Sequence, residues 1–230
     1  MAGLREEAGW YAGLLGEVRD VEVLMERLEH QAQGLPKEDA AAVKPIVTRL
    51  AKEREAARVR LLAGMDAERY VALLDRLTDA ATAPVFADLG SARQSAADLL
   101  PGLVRRPWRR LRRAVQALSE TPADEDLHAV RILAKHTRYA AEAAAPVIGK
   151  QATAFAKAVA AVQTVLGDHQ DACVMEAWLR QAGPKARSTN EAMLIGQLIG
   201  LQRAEAQTKR AEWPEVWKRA SDKALRGWLG

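Results

Sequence analysis

Apolar residues along this chain recur every three or four positions and never every second one. Leu14, Leu15, Val18, Val21, Leu24, Met25 and Leu28 form one such series and would line a single face of a helix. Val and Ile build no alternating run that a half-buried strand would need, and alanine, the strongest helix former, is abundant. The pattern predicts an all-α fold. With 230 residues, 49% of them hydrophobic, the chain can bury a sizeable core in one or two domains.

Punctuation residues divide the chain into helices. A first helix is expected over residues 3–32 and is broken by Gly34 and Pro36. A second runs over 38–63 with Pro45 inside it, and a third over 66–80 with Asp66 as its cap. Residues 81–102, with Pro84, Gly90, Pro101 and Gly102, read as the joint between a first helical half, 1–100, and a second, 101–230. Helices over 103–119, from Asp124 to Pro146 and Gly149, and over 150–166, 168–182, 187–212 and 214–226 complete the expectation. The heptapeptides LLGEVRD (14–20) and VLGDHQD (165–171) match weakly, as an internal repeat would.

Net charge is only +4, so the distribution of charge carries the information. Six arginines, Arg105, Arg106, Arg109, Arg110, Arg112 and Arg113, fall within nine residues. On such a helix Val104, Trp108, Leu111, Val115 and Leu118 would cluster on the other side. In the run HAVRILAKHTRY, residues 128–139, His128, Arg131, Lys135 and Arg138 fall within an arc of about 80° at 100° per residue, and no acid interrupts them. Val130, Leu133, Thr137, Ala140 and Ala144 are expected on the opposite side. Guanidinium forks and ammonium point charges on a rigid rail suit phosphate oxygens. The competing reading is a solvated face neutralised by local acids, and Glu142, four residues from Arg138, favours it for that arginine.

His128-x-x-Arg131-x-x-x-Lys135-x-x-Arg138-Tyr139-x-x-Glu142, followed by Leu166-Gly167-x-x-x-Asp171, resembles the CHAD family, the conserved-histidine α-helical domain. LLGEVRD resembles the same landmark in that family's first repeat. The resemblance covers essentially the whole chain as a single domain, 1–230. It implies two antiparallel helical bundles related by a pseudo-twofold repeat, with basic helices lining a groove. It also implies non-enzymatic binding of inorganic polyphosphate, and members are often fused to a triphosphate-tunnel (CYTH) domain. One departure is evident. The counterpart of the His128 helix would fall before residue 1, so the N-terminal bundle is expected to be incomplete and the first basic helix missing. An incomplete bundle would expose apolar surface for a second chain to complete.

The expected polyphosphate-binding residues are Arg105, Arg106, Arg109, Arg112, Arg113, His128, Arg131, Lys135, Arg138, Lys150 and Lys157. Tyr139 is read as packing, His30 and His136 as surface residues, and Cys173 as core. Asp20 and Asp171 are read as capping or buttressing helices, and Trp213 with Trp217 as one packing face. Nucleic acid is the second ligand class, gripped through its phosphates, although no helix-turn-helix, zinc-finger or RNA-binding signature is present. An acidic protein partner is the third. No Gly-rich phosphate loop, HExxH or carboxylate cluster beside the arginines points to an enzyme. His169 lacks a third ligand in sequence, so neither metal nor cofactor is expected. A single cysteine excludes an internal disulfide, and no apolar run approaches the roughly 20 residues of a membrane span. The opening MAGLREEAGW has no apolar signal core. These features predict a cytoplasmic chain, associated with polyphosphate granules if the resemblance holds.

Overall fold

Long helices form wherever the apolar series runs on, and in this computed structural model they run further than the punctuation suggests. Residues 2–84, 90 and 93–230 are described; part of the expected joint, 85–89 and 91–92, lies outside them. The main helices are α1 (Ala2–Ala32), α2 (Lys37–Met65), α3 (Glu68–Thr82), α4 (Ala96–Gln116), α5 (Asp124–Ile148), α6 (Lys150–Ala182), α7 (Thr189–Ala220) and the short α8 (Lys223–Arg226). Single 3₁₀ turns follow at Gly183–Lys185 and Gly227–Leu229. The fold is all-α, with no strand among the described residues.

Several boundaries differ from expectation for identifiable reasons. Asp66 closes α2 instead of opening α3, whose N-cap is Ala67. Helix α4 begins earlier, at a Ser95 cap whose side chain accepts from the Ala97 amide at 3.2 Å, and Pro101 and Pro107 lie within it. The expected break near residue 167 is absent, so Asp171 sits in mid-helix and not at a helix end; Asp20 likewise lies inside α1. Pro214 does not end α7. An interior proline costs roughly 3 kcal/mol, and burial of the helix face repays it: Val104, Trp108 and Leu111 flank Pro107, and Trp213 precedes Pro214. Gly149 does break the chain. Its φ of +84° lies in the left-handed region that side-chained residues avoid, and it separates α5 from α6 by one residue.

The described chain divides into two compact units, 1–87 with 179–197 and 88–178 with 198–230, where the sequence suggested a division at residue 100. In the first unit, α1 and α2 pack together and α3 packs on both. Leu24, Leu28, Ile46, Leu50 and Leu73 are buried there. Arg69 ties α3 to α1, donating to Glu7 at 2.6 Å and lying 4.3 Å over the Trp10 ring. Glu191, in the first turn of α7, is 1% exposed and pairs with Arg49, which also donates to the carbonyls of Ala182 (2.9 Å) and Lys185 (3.1 Å). Ser188 and Glu191 complete a capping arrangement: the Glu191 amide donates to Ser188 Oγ, and the Glu191 carboxylate accepts from the Arg187 amide. This unit leaves Val59, Leu62, Val71, Leu74 and Leu77 exposed on α2 and α3.

The second unit holds the larger apolar cluster. Trp108 of α4 sits against Phe155 of α6 edge-to-face and against Trp217 of α7, each at 5.3 Å between ring centroids. Leu111, Leu127, Val130, Val159, Val162 and Leu166 surround them. Trp213 and Trp217 join this core, as their spacing predicted.

Candidate functional site

The basic arc of α5 is positioned by what lies beneath it. Leu127, Val130, Ala134, Thr137, Ala141 and Ala144 form the buried stripe of that helix, centred about 110° from the arc at 100° per residue. The arc therefore borders the core instead of facing away from it, because α6 packs along its edge. Arg131 lies over Gly167, its Nε 3.5 Å from where a Cβ would stand. Arg138 reaches Gln163 at 3.3 Å. The landmark glycine of the VLGDHQD run thus forms the floor beneath an arginine, and its neighbour Asp168 pairs with Lys209 of α7 at 3.1 Å.

The members of the arc are not equivalent. Lys135 is exposed and its ammonium lies 5.8 Å from the Tyr139 ring centre; Arg138 lies 5.2 Å from the same ring. Tyr139 is 48% exposed, so it is a surface platform between two cations and not the packing residue expected. Arg138 Nε donates to Glu142 at 2.9 Å, as the i,i+4 spacing foretold. Arg131 Nε and His128 Nδ1 are buried atoms without a hydrogen-bond partner among the described residues. Three acids in the first turn of α5, Asp124, Glu125 and Asp126, complement its positive end, and Asp126 accepts from the Ala123 amide at 3.2 Å.

On α4, Arg106, Arg109, Arg110, Arg112 and Arg113 are exposed and form no ion pair among the described residues. Arg105 differs: its Nε donates to the Leu229 carbonyl at 2.6 Å and anchors the C-terminal turn. Helices α4 and α5 pack on each other. Lys150 and Lys157 of α6 are exposed, about 100° round that helix from Gln163 and Gly167. The first unit carries a separate basic hollow of about 380 Å³, lined by Lys44, Pro45, Thr48, Arg49, Lys52 and Arg187. Sequence reasoning passed over it because these cations are dispersed along α2 and the segment just before α7.

A second cluster went unrecognised. Asp124 and Cys173 both approach His169, which is 1% exposed. Burial lowers the His169 pKa, opposed in part by the Asp124 carboxylate. Burial and the same carboxylate push the Cys173 thiol up to about 11. Cys173 is only partly buried and is not a core residue. The sequence signal was the i,i+4 pair His169 and Cys173; its third member is distant in sequence. His30 and His136 are exposed, as expected.

Among the described residues no helix is long and apolar enough to cross a membrane. The fold is similar to that of PptA from Streptomyces chartreusis, with a TM-score of 0.73, 24% identity, and coverage of 94% of this chain and 79% of that one. Two Mycobacterium tuberculosis proteins, Uncharacterized protein MT2285 (strain CDC 1551 / Oshkosh) and Uncharacterized protein Rv2226 (strain ATCC 25618 / H37Rv), are each 30% identical over 240 residues. These alignments cover 97% of this chain but 44% of each relative, so the chain spans less than half their length. The CHAD domain model matches residues 1–180, and the chain belongs to the CHAD family, which is known for binding polyphosphate and not for catalysis.

Proposed function

We propose that this chain binds inorganic polyphosphate, without catalysis, along the basic faces of α4 and α5. The observation that carries the reading is the set of exposed arginines on α4 that no acid neutralises among the described residues, on a chain of this family. A flexible polymer with about one negative charge per internal phosphate needs a row of cations and no reactive group. Arg106, Arg109, Arg112 and Arg113 of α4, with His128, Arg131 and Lys135 of α5, supply that row. Arg138 joins it by exchanging Glu142 for a phosphate, a surface pair worth only about 0.3–0.5 kcal/mol. Lys150 and Lys157 extend the cationic surface along α6, while Arg105 contributes through whatever its Leu229 contact leaves free. His128 adds a ring nitrogen to the same face of α5. In a cell, such a chain would be cytoplasmic and would gather on polyphosphate granules.

The test is titration of the protein with short and long polyphosphate at several salt concentrations. Affinity is expected to rise with polymer length and to fall steeply with salt, as counterions are released. Arg131→Ala with Lys135→Ala should weaken binding at least tenfold while the melting temperature stays within a few degrees. Unchanged affinity would remove α5 from the site. The exposed Tyr139 between two cations is also the kind of platform on which a nucleobase stacks. Single-stranded DNA at equal phosphate concentration is therefore the competitor. If it displaces polyphosphate at parity, the basic surface recognises backbone charge in general.

A further inference from the structure

At the start of α5, a carboxylate, an imidazole and a thiol from two helices meet around a common point. Asp124 is the first residue of α5; His169 and Cys173 stand one turn apart on the same face of α6. His169 Nε2 lies 3.3 Å from Asp124 Oδ1 and 3.9 Å from Cys173 Sγ, and the three donor atoms all lie within 4.8 Å of one another. In a tetrahedral zinc site, with metal–nitrogen and metal–oxygen bonds of about 2.0–2.1 Å and metal–sulfur bonds of about 2.3 Å, the ligand atoms stand about 3.3 Å (N to O) and about 3.6 Å (N to S) apart. These two spacings match to within a few tenths of an ångström, and the Asp124–Cys173 separation, at most 4.8 Å, closes toward about 3.6 Å when a metal binds.

The surroundings fit a bound cation. A cavity of about 320 Å³ opens beside the cluster and is lined by Asp124 and Cys173 together with Glu125 and His128. It gives access from one side and room for a fourth ligand. His128 Nδ1, a buried atom with no partner among the described residues, is a further nitrogen donor on a residue of that lining. Arg210 of α7 donates to Asp124 Oδ1, the oxygen that faces His169, and to the Pro122 carbonyl, so it orients the carboxylate through the same atom that meets the imidazole. Its positive charge opposes a cation here, and two anionic ligands, the Asp124 carboxylate and the Cys173 thiolate, outweigh it.

We propose that Asp124, His169 and Cys173 bind a zinc-type divalent cation that staples the first turn of α5 to α6, next to the basic arc. Nitrogen, sulfur and oxygen donors together select zinc or cobalt over magnesium or calcium, which prefer oxygen alone. On coordination the Cys173 sulfur binds as thiolate, and its proton passes to the buffer.

The whole chain is titrated with Co²⁺ as the probe. Cys173 is the sole cysteine, so any thiolate-to-cobalt charge-transfer absorption reports this site alone. One equivalent should produce that absorption, and Zn²⁺ should abolish it by displacement. Cys173→Ser should lose it entirely, and His169→Gln and Asp124→Asn should each weaken Co²⁺ binding at least about tenfold. Zn²⁺ should also raise the melting temperature of the unaltered protein, a readout that does not depend on any variant folding. Absence of the absorption in the unaltered chain overturns the proposal, as does affinity that both His169→Gln and Asp124→Asn leave intact. No polyphosphate enters the experiment, so its outcome is separate from that of the preceding section.

Discussion

Removing a carboxylate from the basic arc should tighten polyphosphate binding, and Glu142→Gln is the substitution that isolates the effect. Glu142 is 48% exposed and its carboxylate accepts from Arg138 Nε at 2.9 Å. Two terms favour the variant. The ion pair that a phosphate must displace, an exposed i,i+4 pair, is worth about 0.3–0.5 kcal/mol. A phosphate held by the same guanidinium would also sit about 6 Å from the carboxylate, where like charges repel by about 0.7 kcal/mol in water. Together they come to about 1 kcal/mol, or about a fivefold gain in affinity. Gln163, 3.3 Å from Arg138, keeps the guanidinium oriented when Glu142 is gone. The assay is a polyphosphate titration at fixed ionic strength with a thermal melt as control. Stability should fall by no more than about 0.5 kcal/mol. Affinity that is unchanged or weaker in a folded Glu142→Gln protein would refute the reasoning, since a phosphate bound along α5 must feel that charge.

Other perturbations address the fold. Trp108→Ala should destabilise the second unit by about 3–5 kcal/mol in a denaturant melt, because the residue is 3% exposed and packs against Phe155 and Trp217. Arg49→Met should cost about 3–5 kcal/mol by leaving the Glu191 carboxylate buried without its cation, and Arg49→Met with Glu191→Leu should recover at least half of that. The hydrogen bond to Asp168 raises the Lys209 pKa in the folded protein. The stability that this pair contributes is therefore complete below the ordinary lysine value and lost as pH rises through the folded one. It amounts to no more than about 1 kcal/mol on a pair that solvent still partly screens. Asp168→Asn should accordingly flatten the alkaline limb of a stability–pH curve; an unaltered limb would show the pair to be inert.

The α-helical class, the series in α1, the basic runs and the core positions Val104, Trp108 and Leu111 were legible because a 3.6-residue period is a property of consecutive residues. So was the Arg138–Glu142 pair, which needs only four residues of one helix. Other features were out of reach. Pro101 of α4 and Pro214 of α7 read as lying at breaks, since sequence alone does not show how much burial offsets each one. Gly167 read as part of a helix boundary, whereas it lies in mid-helix with Arg131 above it. Arg105, one of six similar arginines, is set apart by a carbonyl at Leu229, and that contact depends on where the chain end folds back.

By its sequence alone the chain determined an all-α fold, two closely spaced basic segments and the family landmarks that point to a polyanion. Periodicity and charge order are local, and neither needs a partner helix. Tertiary packing alone decided that the arc on α5 borders α6, that Tyr139 stands between two cations, and that Asp124 meets His169 and Cys173. Contacts between distant segments depend on the rotation and register of whole helices, which are set by the shape of the shared core, and no stretch of residues records them by itself.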